Sequence, residues 1–158
     1  MPAVLHNSEV HGFVDGAALV ELKQAALRDP RGRARLCLHH QTTDLVQEMI
    51  LAFANTALMP PHRNPEKTES VHVIEGTGRL LIFDGAGKLS KTVDIGPVGS
   101  GLVFLYRLST IPWHTVIPES ETLVLHEVLQ GPFVVGETVF PAWAPTDAQE
   151  LQHFLAGR

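Results

Sequence analysis

Between residues 46 and 129 the chain is a succession of short β-rich runs: VQEMILAFA, SVHVIEG, GRLLIFD, KLSKTVDIG, GLVFLYRL, WHTVIP and ETLVLHEVL. None is long enough to be a core helix, and glycine-bearing connectors such as EGTG and DGAGK separate them. Such connectors supply the positive φ that tight hairpins require. Six or seven short strands joined in this way predict an antiparallel sandwich or small barrel. Helical patterns flank this block. In VDGAALVELKQAALRDP, Leu19, Leu22, Ala26 and Leu27 recur at helical spacing, Asp15 is a cap candidate, and Pro30 forbids continuation. In APTDAQELQHFLAGR, Thr146 and Gln149 have capping-box spacing, and Leu151, Phe154 and Leu155 share a face.

A chain of 158 residues is the usual size of one domain with its own core. Its 17 acidic and 12 basic residues leave a formal charge of -5 with no basic run, which argues against nucleic acid as a partner. No stretch approaches the roughly 20 apolar residues that span a bilayer, and the opening MPAVLHNSEVHGF has no leader pattern. The expectation is a cytoplasmic protein with no membrane partner. The single cysteine, Cys37, has no internal disulfide partner and reads as a buried small hydrophobe.

The stretch PHRNPEKTESVH at residues 61–72 carries the chemistry. On an extended segment His62 and Asn64 point to the same side, and Glu69 enters the following strand after a turn. His114, in IPWHTVIP, is a second imidazole at the mouth of an apolar strand. Two imidazoles and a carboxylate suit a first-row divalent metal and leave positions open for water or substrate. His62, Glu69 and His114 are therefore the candidate ligands. A charged turn between two strands is the competing explanation.

These residues resemble the motifs of the cupin superfamily. His62, Glu69 and Gly76 stand at the offsets of the first motif, while Thr56 replaces its glycine and Asn64 its second histidine. Of the second motif only His114 matches; Val103, Ser109, Ile111 and Pro118 occupy the other marked positions. A closer resemblance covers most of the chain. The order ARLCLHHQTTDLVQEMI, PPHRNPEKTESVHVIEG, FLYRLSTIPWHTVIP and EVLQGPFVVGETVFPAWAP is similar to WbuC-type cupin metalloproteins, small bacterial proteins sometimes encoded among O-antigen genes. The resemblance implies a mainly β cupin double-stranded β-helix, a jelly-roll barrel with an N-terminal helical segment and a short C-terminal helix. One domain over 1–158 is expected, with a helical extension over 1–45, the barrel over 46–130 and a C-terminal segment and helix over 131–158.

The resemblance also implies a divalent transition metal (zinc, iron, manganese or nickel) in the barrel mouth, with no settled reaction. Asn64 is a weaker donor than imidazole. It is open to three readings: an oxygen ligand, a holder of metal-bound water, or the mark of a lost site. Glu69, Tyr106 and His39 are the catalytic candidates, since each can move a proton or line the pocket. Arg63, Lys67 and Arg107 are candidates to hold an anionic ligand, against the plainer reading of solvated charges. His72 should face away from Glu69. Only one of His126 and Glu127 can face the interior, and Trp113 and Trp143 bury area near the rim or stack on a sugar.

Three functions follow. One is a metal-dependent, isomerase- or epimerase-like enzyme acting on a sugar-like or anionic small molecule, with a role in surface polysaccharide biosynthesis. The others are an Fe(II)-dependent dioxygenase and a non-catalytic ligand-binding cupin that has lost its metal. Because cupin barrels often pair through exposed strands, a homodimer is expected.

Overall fold

The computed structural model describes residues 4–6, 11–110, 112–156 and 158. Ile111, one of the second-motif positions, lies outside them. Among the described residues are nine strands and two helices: β1 (Val4–His6), α1 (Gly16–Arg28), β2 (Arg33–Cys37), β3 (Val46–Ala54), β4 (Thr68–Glu75), β5 (Gly78–Phe83), β6 (Leu89–Ile95), β7 (Leu105–Ser109), β8 (Trp113–Pro118), β9 (Thr122–Gln130) and α2 (Ala148–Ala156). One sheet has the order β1-β2-β3-β9-β4-β7, the other β6-β5-β8. Every pairing except the parallel β1–β2 is antiparallel. The result is a mainly β jelly-roll barrel with a helix on either side.

The barrel follows from the alternation of side chains along each strand, which sends successive residues to opposite faces. Phe53, Val71, Val73, Leu80, Val116, Leu123 and Leu125 point inward and form one buried cluster between the sheets. The outer faces are apolar too. Leu22, Ala25 and Ala26 of α1 pack on Ala34, Ile50, Ala52 and Val124. Leu151 and Leu155 of α2 pack on Leu81 and Phe83, with Trp113, Trp143 and Phe154 around them. Double-sided burial explains why the runs read as nearly continuous hydrophobic segments.

The structure refines several expectations. The 1–45 segment contains strands beside its helix, since β2 pairs along its whole length with β3, Arg33 opposite Phe53 and Cys37 opposite Met49. Within α1, Asp15 Oδ1 accepts from the Ala18 amide at 2.9 Å as expected, but Leu27 is exposed and Ala25 takes its place in the core. The α2 cap is Asp147, not Thr146: its Oδ1 accepts from the amides of Gln149 and Glu150 at 2.9 and 3.1 Å. DGAGK does close the β5–β6 hairpin. EGTG closes none, because β4 and β5 belong to different sheets. It is a corner where the chain crosses between layers; Gly76 sits at φ 79°, and a Cβ there would press into the Thr122 carbonyl.

Cys37 is buried, and burial raises its thiol pKa against the opposing charge of Arg35, which keeps it a packing residue. No helix among the described residues is long and apolar enough to cross a membrane.

Leu81 has no exposed surface and joins β5 to α2. Leu81→Ala is expected to destabilise the protein by about 2–5 kcal/mol in urea unfolding. A loss below about 1 kcal/mol would show that α2 docking adds little to the fold.

Candidate metal and ligand site

A two-residue antiparallel bridge builds the site. The amide of His62 donates to the His114 carbonyl at 3.0 Å, and the amide of His114 donates to the His62 carbonyl at 3.0 Å. This extends the small sheet beyond β8 and sets the two imidazoles 4.7 Å apart, ring centre to ring centre. Both rings are anchored in the same way. Nδ1 of His62 lies 3.1 Å from the Pro60 carbonyl, and Nδ1 of His114 lies 2.9 Å from that of Pro112. A carbonyl only accepts, so each Nδ1 carries the proton and each Nε2 is turned to the interior. A backbone carbonyl holding Nδ1–H in this way fixes the ring's orientation, as it does for metal-ligating histidines in general.

β4 brings the carboxylate. Glu69 is 4% exposed, and its Oε1 lies 3.1 Å from Nε2 of His114, itself 4% exposed. The imidazole of His114 thus faces acceptors at both nitrogens. Burial acts to lower its pKa, but the Glu69 hydrogen bond and charge outweigh it and raise the value above the ordinary histidine range. His62 behaves in the opposite sense. Burial and the neighbouring His114 lower its pKa to about 4, so it is neutral near pH 7.

Two further interior groups complete the setting. In the β4–β9 and β4–β7 ladders, Val71 stands opposite both Glu127 and Tyr106, so all three share the inner face. Glu127 is pushed up to about 7 by burial and by the Glu69 carboxylate, against the pull of His114 and Arg35. Tyr106 is pushed well above its ordinary value by burial and by the charges of Glu69 and Glu127. It remains a proton donor. Glu127 is the residue that sequence reasoning left without a role; its signal was an acid in phase with Leu123, Leu125 and Leu129 on an otherwise apolar inner face.

The structure brings together His62, Glu69, His114 and Tyr106, and engages the other candidates elsewhere. Asn64 is buried, with its Oδ1 accepting from the Thr138 hydroxyl at 2.7 Å. Arg63 lies over the Trp113 ring, 4.4 Å from its centre. Lys67 clamps the C-terminal segment, 2.5 Å from Glu137 Oε2 and 2.6 Å from the Pro132 carbonyl. Arg107 is exposed on β7, its nearest side-chain partner being Ser70 Oγ at 3.4 Å. His39 Nδ1 faces the backbone of Glu48, at 2.9 Å from its carbonyl and 3.1 Å from its amide. His72 and His126 are register partners on the outer face, away from Glu69, and His126 Nε2 lies 2.8 Å from Glu48 Oε1. Trp113 and Trp143 meet edge to face at 6.2 Å outside the small sheet, among the residues that seat α2.

The donor set of His62, His114 and Glu69 suits a divalent transition metal in chemical type. As placed, Glu69 is committed to His114, and no group of three or more His, Cys, Asp or Glu among the described residues forms a ready-made ion cage. An ion bound by this set would displace the proton between Glu69 and His114, which would couple its uptake to proton release.

A family model described as a domain of unknown function (DUF6016) matches residues 14–95, just over half of the chain. The chain belongs to this family. A search of curated proteins finds no match. Among solved structures, oxalate oxidase in complex with the substrate analogue glycolate is 17% identical, with a TM-score of 0.54 over 72% of this chain and 57% of the other. A protein from Shewanella oneidensis is 9% identical, with a TM-score of 0.56 over 70% of this chain and 74% of its own. CapF with the inhibitor 3-isopropenyl-tropolone is 16% identical, with a TM-score of 0.55 over 72% of this chain and 33% of the other. This DUF6016 member therefore has the fold of the cupin superfamily, and it spans little more than half the length of the oxalate oxidase.

Two titrations test the electrostatics in chelator-treated protein. Glu69→Gln removes the partner that offsets burial, so the His114 pKa is expected to fall below the ordinary histidine value in an NMR titration; an unchanged value would contradict the pairing. For His62 the unfolded chain binds protons first, between 6.5 and about 4. Stability is therefore lost as pH falls through that window, by up to about 1.4 kcal/mol per pH unit. His62→Gln should remove that part of the slope in urea melts, and identical slopes in parent and variant would count against a buried neutral His62.

Proposed function

We propose that this cupin protein holds a divalent transition metal through His62, His114 and Glu69 and acts on a small polar, anionic molecule at the barrel mouth. The supporting observation is the matched anchoring of the two imidazoles: each gives its Nδ1 proton to a proline carbonyl two residues upstream, the rings stand 4.7 Å apart, and Nε2 of His114 meets the buried Glu69 carboxylate. Such an ion, when bound, polarises a carbonyl or hydroxyl oxygen of the ligand. The chain's own residues supply the rest. Glu127, pushed up to about 7, exchanges a proton near neutrality, where general acid–base groups are most effective. Tyr106 stays protonated and donates a hydrogen bond to negative charge in the ligand. The apolar barrel core beneath them excludes water and strengthens these interactions. Asn64, held by Thr138, keeps the C-terminal segment against the mouth.

The sequence resemblance to WbuC-type cupins supports a sugar-like ligand and a place in surface polysaccharide synthesis as part of this reading. A homodimer fits the same reading. β7 is an edge strand, and Leu102, Val103, Phe104 and Leu105 on and before it are exposed, an apolar edge that a second copy would cover.

Elemental analysis of untagged protein purified without chelator is the test, beside His62→Ala and His114→Ala. Near-stoichiometric metal in the parent, lost in both variants, is the expected result. The element separates oxygen chemistry on iron from Lewis-acid chemistry on zinc or manganese. Failure of the parent to take up any metal, even on reconstitution, would overturn the metal reading and leave a ligand-binding module.

A further inference from the structure

A groove of about 500 Å³ runs along the wall beside His62, lined by Pro30, Arg31, Arg33, Thr56 and Pro60 on one side and by Phe140 and the 141–151 segment on the other. It adjoins the metal and ligand site, and the charge of Arg33 is one of those that lower the His62 pKa. Pro60 is the residue whose carbonyl anchors His62, and the Phe140 ring lies 6.2 Å from the His62 ring. The volume is in the range of small-molecule sites.

Its lining contains two arginines, two threonines and no acidic residue. The arginines differ. Arg31 is satisfied locally, its Nε lying 3.2 Å from Asp29 Oδ1. Arg33 is half-buried, and none of the ion pairs among the described residues includes it. Burial, together with the charges of Arg31 and Arg35, lowers its pKa from the ordinary arginine value; Asp29 pulls the other way, but its carboxylate is already bridged to Arg31. A partly desolvated guanidinium without its own carboxylate is a fork of donors matched to an oxyanion.

The backbone places Arg33 deliberately. Gly32, at φ 67°, packs so closely on the 56–57 turn that an added Cβ would stand 2.9 Å from the Ala57 amide nitrogen. The Gly32 carbonyl also accepts from the Ala54 amide at 2.7 Å. Arg33 then enters β2 opposite Phe53, on the barrel side of the sheet.

We propose that this groove is an oxyanion subsite, in which the Arg33 guanidinium holds a carboxylate or phosphoryl group of a small molecule whose other end reaches His62, His114 and Glu69. The proposal deepens the functional reading above and rests on it only for the far end of the ligand. It moves the anion anchor from Arg63, Lys67 and Arg107, which are stacked, clamped or outside the barrel, to a residue that sequence motifs did not mark.

Isotope-labelled protein titrated separately with inorganic phosphate and with glycolate, and followed by amide chemical shifts, tests it. Shifts should centre on residues 32–33, 56–60 and 140–146, and Arg33→Gln should weaken binding by about ten-fold or more while Arg31→Gln stays within about two-fold. Tighter glycolate binding assigns a carboxylate ligand, and tighter phosphate binding assigns a phosphoryl one. Arg33→Lys, which keeps the charge and loses the fork, should fall between parent and Arg33→Gln. No shift in the groove with either probe, or equal affinity in parent and Arg33→Gln, would overturn the subsite. If Arg33→Gln does not fold, the parent shift map and Arg33→Lys decide: shifts centred elsewhere, or undiminished affinity in Arg33→Lys for both probes, overturn it. Metal content separates this from the reading above, since Arg33→Gln should retain the parent's metal. A parent without metal that still binds phosphate or glycolate at Arg33 would remove the metal and keep the subsite.

Discussion

Period-two alternation in strands that are buried on both faces is the constraint on which the rest of this molecule depends. Inward residues of β3, β4, β5, β8 and β9 fill the barrel, and outward residues of the same strands seat α1 and α2. A one-residue slip in any central pairing would send both sets to the wrong layer, so the register is strongly specified. The polar interior inherits this precision. Glu69, Glu127 and Tyr106 are brought to one face by the same ladders that bury Val71, Val73 and Leu125.

An apolar barrel is an expensive place for charge, and the mouth shows how the cost is managed. Two buried or partly buried carboxylates, Glu69 and Glu127, stand near two imidazoles and two arginines of β2. Glu69 is matched by a hydrogen-bonded His114, while burial and then the Glu69 charge push Glu127 towards its neutral form. His62 avoids charge altogether. One matched pair flanked by groups with displaced titration is typical of sites poised for ligands or proton transfer. The contrast with Cys37 is instructive: it is also buried, but it has only burial and one weakly opposing arginine.

Much of this was legible before any coordinates. Strands β3 to β9, the hairpin at DGAGK, both helices and the facing of His72 away from Glu69 follow from local pattern. So does the nomination of His62, Glu69 and His114, three donors whose spacing suits one space. What escaped local reading has a common cause. β2, with its alternation of arginine and apolar residues, looks like a loop until β3 pairs with it. EGTG looks like a hairpin until its flanking strands join different sheets. Arg63, Lys67 and Arg107 resemble anion holders until Trp113, Glu137 and open solvent claim them.

The sequence by itself determined the class of fold and the chemical identity of the donors, because alternation, turn glycines and residue type are local properties. Tertiary structure alone decided which charges share a space. The His62–His114 bridge joins residues 52 apart in the chain, and the Val71–Glu127 pairing joins residues 56 apart. Arg33, whose charge reaches His62, enters β2 just after Gly32, which packs closely on the distant 56–57 turn. Partnership, burial and pKa depend on distances through space, and a linear pattern carries no record of them until the sheets close.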